Sequence, residues 1–298
     1  MSLALAPSIS ISRNLIIMTW ERFGYICRKA KGTIKDEEPV SECISQIESD
    51  DNCSLYGDRI SHDSLSRNIL NKIKAMSNKE AVAALDVYSQ IDMSQHLAEP
   101  MQFKRVTVYL AYVTFVFFVV SSIYQLKVAP SFLEAFETFE LSIPSHLIFY
   151  RDYWQYFVLV VSALLAISLI IGFTLRGLFK FKRGLENGIV LRFLAFGGIR
   201  ESYLRLLDII SYPVSQGKGG VAYDATKINS HLSEVENTEM DLAVEMQALI
   251  KTEVTSLLNR CERQMRFISV AVAVIIISAI FFFLVSAYSP MFVLGETV

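Results

Sequence analysis

The stretch KRVTVYLAYVTFVFFVVSSIYQLKVAPSFLEAFETFELSIPSHLIFYRDYWQYFVLVVSALLAISLIIGFTLRGLFKFKR, Lys104 to Arg183, decides how the chain is read. It runs basic pair, apolar segment, acidic connection, aromatic-headed apolar segment, basic cluster. Val106 to Leu126 carries no charge, and its length of about 21 residues matches the ~20 helical residues that cross a hydrocarbon core. Tyr153 to Leu175 is also uncharged and slightly longer. A third uncharged run, Phe267 to Tyr288 (FISVAVAVIIISAIFFFLVSAY), follows near the end of the sequence. A charge at the centre of an inserted helix costs roughly 2.5 to 3.5 kcal/mol, so three clean runs predict three spans. The expected fold class is an all-α membrane protein with transmembrane helices at 104–126, 153–175 and 267–288. Two cytoplasmic helical-bundle domains, 1–103 and 176–266, complete it.

The flanks set the orientation. Lys104 and Arg105 precede the first run, Arg176, Lys180, Lys182 and Arg183 follow the second, and Arg260, Arg263 and Arg266 precede the third. The positive-inside bias places all three clusters in the cytoplasm. The 127–152 connection carries Glu134, Glu137, Glu140 and Asp152 against Lys127 and Arg151, and so belongs outside. The amino terminus is then cytoplasmic and the 289–298 tail periplasmic. Tyr124, Tyr153, Trp154, Tyr156 and Tyr288 fall at the outer boundary, where amphipathic rings favour the headgroup region.

Composition agrees: 52% of the 298 residues are hydrophobic and 19% charged, so the segments between the runs hold nearly all the charge. A net charge of −2 gives no reason to invoke nucleic acid. Cys27, Cys43, Cys53 and Cys261 all map to the cytoplasmic side, where thiols stay reduced, and no CxxC pair suggests zinc. The opening residues lack a basic n-region and are interrupted by Pro7 and Arg13, which argues against a cleaved signal peptide.

In the amino-terminal segment, Ile16, Trp20, Phe23 and Cys27 recur at helical spacing across Ser12 to Lys31, with Gly32 as a stop. Acids accumulate and apolar residues thin out in 35–63, which reads as a solvated linker because the ligand order of an EF-hand loop is absent. Leu65, Ile69, Ile73 and Met76 form a further stripe. Ser77 to Glu80 has capping-box spacing and opens a helix carrying Ala81, Leu85 and Tyr88.

Outside the membrane, Lys127 to Pro130 is expected to end the first span. Phe132, Leu133, Phe136 and Phe139 then share a face opposite three glutamates, a segment that lies flat on the bilayer or packs on the hairpin. Pro144 breaks it, and a helix can run from Ser145 to about Phe181. In 176–266, helical patterns cover Ile189–Phe196 and Tyr203–Ile210 around Gly197 and Gly198, and Pro213 to Gly220 is a loop. Its Gly217-Lys218 is no phosphate-binding loop, since Tyr212 and Gly219 stand where a glycine and a hydroxyl residue are needed. Ser233 and Glu236 have the spacing to cap a long helix striped by Leu242, Met246, Leu249, Leu257 and Cys261.

The two halves repeat weakly. Each runs helical segment, apolar run and Pro-x-Phe just beyond, at Pro130-Ser131-Phe132 and Pro290-Met291-Phe292, as a duplicated domain would. These residues resemble the GspF/PilC family of inner-membrane platform proteins of type IV pilus and type II secretion machines. Val128 to Phe149, with Ile143-Pro144 in place of a Leu-Pro pair, looks like that family's outer segment. Tyr288 to Glu296 is similar to its closing Leu-Pro-Ile-Phe-x-Leu-Gly, and Leu194 to Leu207, with Gly198, is similar to its Leu-x-x-x-Gly-Val helix pair. The likeness covers about Met101 to Val298.

The resemblance implies structural signature positions Pro130, Phe132, Pro144, Gly198, Pro290 and Phe292. It implies a non-enzymatic scaffold in a bacterial inner membrane, with no cofactor, assembling as a homo-oligomer. Its partners would be an assembly ATPase and pilin or pseudopilin subunits, together with the lipid bilayer. The competing reading is a small multi-pass transporter or a receptor component. Transport paths usually show intramembrane ionisable residues or broken helices, whereas these runs offer Thr, Ser, Tyr, Gln and Gly172. A receptor would rely on the small acidic outer loop. An enzyme finds no support in His62, His96, His146 and His231, which are scattered and make no HExxH. The polar edge Thr107, Tyr109, Tyr112, Thr114, Ser121 and Ser122 reads either as a seat for a pilin helix or as helix packing within the protein.

Overall fold

The computed structural model describes residues 7–34, 39–57, 59–97, 101–138, 145–182, 188, 191, 193, 195, 197–215, 225–238 and 240–297. Its named elements are all helical: α1 (Pro7–Thr33), α2 (Val40–Ser49), α3 (Leu65–Ala75), α4 (Asn78–Gln90), α5 (Met93–His96), α6 (Met101–Ile123), α7 (Ala129–Thr138), α8 (Ser145–Leu178), α9 (Gly197–Ser211), α10 (Ala225–Asn237) and α11 (Leu242–Thr297). Short 3-10 turns cover Asp51–Tyr56 and Tyr212–Val214. Among the described residues the sole β feature is an isolated bridge between Ser64 and Lys182. The chain divides into two compact units, 1–100 with 174–262, and 101–173 with 263–298.

The first unit is built on α1, whose Trp20, Phe23, Ile26, Cys27 and Ala30 are buried. It packs chiefly on α4, through Ala81, Ala84, Leu85 and Tyr88. The rings interlock edge to face, Trp20 to Phe23 at 5.6 Å and Phe23 to Tyr88 at 5.4 Å between centroids. Such pairs add about 0.5 to 1.5 kcal/mol beyond the area they bury. Ser77 closes the start of α4 as its spacing predicts, donating from its backbone N–H (3.3 Å) and hydroxyl (2.7 Å) to the Glu80 carboxylate.

Residues 1–100 and 174–262 fall in one compact unit. Phe181 packs between Trp20 and Tyr203, at 6.1 Å from each ring. Its carbonyl accepts from Leu65 N–H at 3.0 Å, and its φ of 46° is a left-handed conformation that costs a bulky residue energy. The aromatic stack and the backbone bond hold it there.

Within the acidic 35–63 stretch, the described residues 39–57 fold as helix and turn with a buried face, where a solvated linker was expected, and 35–38 and 58 lie outside the described residues. Val40, Cys43, Ile44 and Ile47 are buried along one face of α2 at i, i+3, i+4 and i+7, and Cys53 is buried in the following turn. Two of the described acids form ion pairs: Glu48 takes Arg67 and, at 2.8 Å, Lys74, while Asp50 pairs with Lys29. Gly57 closes the segment at φ 96°, and its carbonyl receives the buried Arg22 guanidinium at 2.6 Å.

A second correction concerns α11. Ser233 and Glu236 lie inside α10 and cap nothing; Asp241 caps α11, its carboxylate accepting from Ala243 N–H (2.9 Å) and Val244 N–H (3.3 Å). The stripe on α11 is as read, with Met246, Leu257 and Cys261 buried and Leu242 and Leu249 half-buried. The expected helix over Ile189–Phe196 falls largely outside the described residues.

The second unit contains α6, α7, the greater part of α8 and the second half of α11. The backbone does not stop at Lys127–Pro130: a π turn over Tyr124–Val128 joins α6 to α7, with Ala129 N–H donating to the Tyr124 carbonyl. Pro130 has no N–H for the carbonyl one turn back and its ring would clash there, so a wider turn accommodates it. Leu110, Phe117 and Tyr124 are buried at seven-residue spacing on α6 and its continuation. On α8 the buried seam is Val161, Leu165, Ser168 and Gly172, spaced four and three as in a coiled coil. Among the described residues, Val158–Leu178 is long and apolar enough to cross a membrane, with a mean hydropathy of 2.7, and Val108–Val120 is a shorter apolar helix.

Candidate interaction site

Glu21, Gly24 and Arg28 stand at i, i+3 and i+7 on α1, on one face of the helix. Opposite them, the end of α4 turns into α5 through Ser89 to Ser94, and Tyr56 closes a third side. Between these walls lies a cleft of about 420 Å³ within the first unit. Trp20, Ile91 and Met93 line it while nine-tenths or more buried, so the cleft rests on the core. Gly24 makes room for it. A β-carbon at that position would sit 3.0 Å from Nη1 of Arg28, whose side chain folds back over the glycine as long helical side chains do.

The hydroxyls of the rim are engaged internally. Ser89 Oγ donates to the Asp86 carbonyl and Ser94 Oγ to Asp92 Oδ1, each at 2.7 Å. Lys31 pairs with Asp86, which holds that carboxyl below its ordinary range, and Gln90 Nε2 adds a 3.2 Å bond. Glu21 and Arg28, both exposed, remain as a carboxylate and a guanidinium on either side of Gly24. This is recognition chemistry: opposite charges at the mouth over an apolar floor.

The sequence-derived signature positions do not gather here. Gly198 lies in the first turn of α9, directly under Arg260: a β-carbon there would be 2.0 Å from Arg260 Nη1. Pro130 is exposed at the start of α7 and Phe132 half-buried beside it. Pro290 lies within α11, whose backbone stays helical to Thr297, and Phe292 is 72% exposed. Pro144 falls outside the described residues. Among those described, no hydrogen bond or ring contact joins Phe132 to Phe292.

His231 Nε2 meets Glu245 Oε1 at 3.0 Å, an exposed pair linking α10 and α11. No cluster of His, Cys, Asp or Glu able to hold a metal occurs among the described residues. The four thiols are all buried. Burial drives the Cys27 thiol far up and the Cys261 thiol up to about 12, which keeps both protonated.

The cleft was missed in the sequence because its residues lie on the polar side of a helix read for its apolar stripe. The available signal was a glycine inside a long helix, flanked by charges at −3 and +4. Comparison with models of known families, with characterised proteins and with solved structures finds no match to this chain.

Proposed function

We propose that the chain is an integral membrane protein with spans at 104–126, 153–175 and 267–288, and that it serves as an inner-membrane platform for pilus or pseudopilus assembly. The observation that carries the membrane reading is exposure of large apolar side chains in the second unit. Phe115 and Leu159 are each 66% exposed, Ile277 66% and Phe281 68%, on helices that carry no charge over those lengths. Water does not tolerate so much contiguous apolar surface, and a bilayer does. The basic residues bordering each run set the orientation, with the first unit in the cytoplasm.

The platform role is supported by the resemblance around Pro130, Phe132, Pro290 and Phe292, and by a helical unit whose cleft suits a protein segment. In this reading the cytoplasmic unit engages a hexameric assembly ATPase, and the spans meet pilin subunits as they leave the membrane. The test is deletion of the gene followed by imaging of the cell surface. Loss of pili, or of a secreted pseudopilus substrate, with restoration by the intact gene is the expected result; unchanged assembly refutes the role. A reporter fused after Val298 tests the topology separately and should report the periplasm.

A further inference from the structure

From the membrane reading above, on which this rests, we infer that the outer face of α11 in the second unit is a binding surface for an anionic phospholipid. Arg263 and Arg266 are one turn apart and both exposed. Directly beyond them, exposed apolar residues follow at alternating three- and four-residue steps: Phe267, Val270, Val274, Ile277 and Phe281, from 57% to 68% exposed. One helix face therefore presents a pair of guanidiniums and then an apolar track of about four turns, which matches an amphiphile with an anionic head and an acyl chain.

Glu262 adjoins Arg263 and stands four residues before Arg266 on the same helix, but Arg260 offsets it, so the cluster Arg260, Glu262, Arg263 and Arg266 keeps a net positive charge, and the unit's own carboxylates, Glu134, Glu137, Glu140, Asp152 and Glu296, lie at the other ends of its uncharged runs. A second copy of the chain is disfavoured as the occupant. Spans of one topology would bring Arg263 and Arg266 of both copies to the same depth, where like charges repel. A phosphodiester headgroup accepts from both guanidiniums at once, and the tail lies against Phe267 to Phe281.

The test uses the full chain in nanodiscs and detergent. Native mass spectrometry should show retained phosphatidylglycerol in preference to phosphatidylcholine, by about fivefold per arginine at low salt, falling as salt rises. Inorganic phosphate at matched concentration should not displace it, which separates a lipid site from a bare anion site. The Arg263→Gln/Arg266→Gln variant should lose the preference yet stay in membranes washed with alkaline carbonate. Equal retention of the two lipids, or a variant that keeps the preference, overturns the inference alone. Displacement by phosphate also overturns it, as does efficient disulfide dimerisation of an Ile277→Cys variant in membranes. Release of the unmodified chain by carbonate overturns the membrane reading along with it.

Discussion

The hydroxyl of Tyr88 on α4 donates a 2.7 Å hydrogen bond to the carbonyl oxygen of Ile210 near the end of α9. Both residues are buried, and 122 residues of sequence separate them. The bond satisfies a carbonyl that has no partner further along its own helix, and it ties the two sequence segments of the first unit together. Tyr88→Phe leaves that carbonyl dry and unpaired without opening a cavity. We expect a loss of about 1 to 2 kcal/mol, read as a lower thermal midpoint of the purified protein.

Gly24 and Gly198, both helical, separate by what stands over them. At Gly24 the obstacle is the tip of Arg28, 3.0 Å from a new β-carbon, and a small swing clears it. Gly24→Ala should therefore stabilise the protein by up to about 1 kcal/mol, as removing an interior helical glycine does. At Gly198 the new carbon meets Arg260 Nη1 at 2.0 Å and Cζ at 3.1 Å, so the whole guanidinium must leave. Gly198→Ala should destabilise by about 1 kcal/mol, and the loss should vanish in an Arg260→Ala background, a coupling that a double-mutant cycle reads directly.

Asp208 and Asp86 respond to pH with opposite sign. Burial raises the Asp208 carboxyl, and its Oδ2 has no hydrogen-bond partner. Its contribution is fully present below the unfolded value near 3.9 and is lost as pH rises through the higher folded value. Asp208→Asn should thus raise stability at pH 7 by about 1 kcal/mol, with the gain shrinking as pH falls toward 3. Asp86, lowered chiefly by its bond to Lys31, and Glu80, lowered by Ser77, contribute above their unfolded values near 4. That contribution is lost as pH falls through the lower folded values. Thermal melts from pH 3 to 8 on the unmodified chain and the Asp208 variant resolve the two effects.

Asp241 carries the amino-terminal cap of α11, a task the sequence assigned to Ser233 and Glu236. Asp241→Ala should cost about 1 kcal/mol, whereas Ser233→Ala should be nearly silent, because Ser233 Oγ donates within α10 to the Ser230 carbonyl. Thermal midpoints of the two variants side by side decide which residue caps the helix.

The sequence was informative wherever one period dominated. The stripe of Trp20, Phe23 and Cys27, the capping box at Ser77 and the uncharged lengths of α6, α8 and α11 were readable because hydrophobic spacing and charge exclusion are local signals. The 35–63 stretch was misread because a high density of acids masked the four-residue stripe of α2, whose burial depends on partners far along the chain. The cap of α11 was misread because two capping signals lie within nine residues of each other, and local spacing does not rank them. The cleft was invisible for a different reason: Glu21, Gly24 and Arg28 become a wall only once α4 and α5 turn against them.

The widened turn at Tyr124–Val128 also resets the angular phase of the rod it interrupts. Counted at 100° per residue, Phe136 would point about 120° away from the azimuth of Tyr124 in an uninterrupted α-helix. One residue absorbed in the bulge reduces that offset to about 20°, which returns Phe136 to the meridian of Leu110, Phe117 and Tyr124, and all four are buried. Shortening the chain by one residue in this turn would keep the rod straight and its composition intact, yet twist Phe136 out toward the surroundings and carry Glu134 and Glu137 round with it.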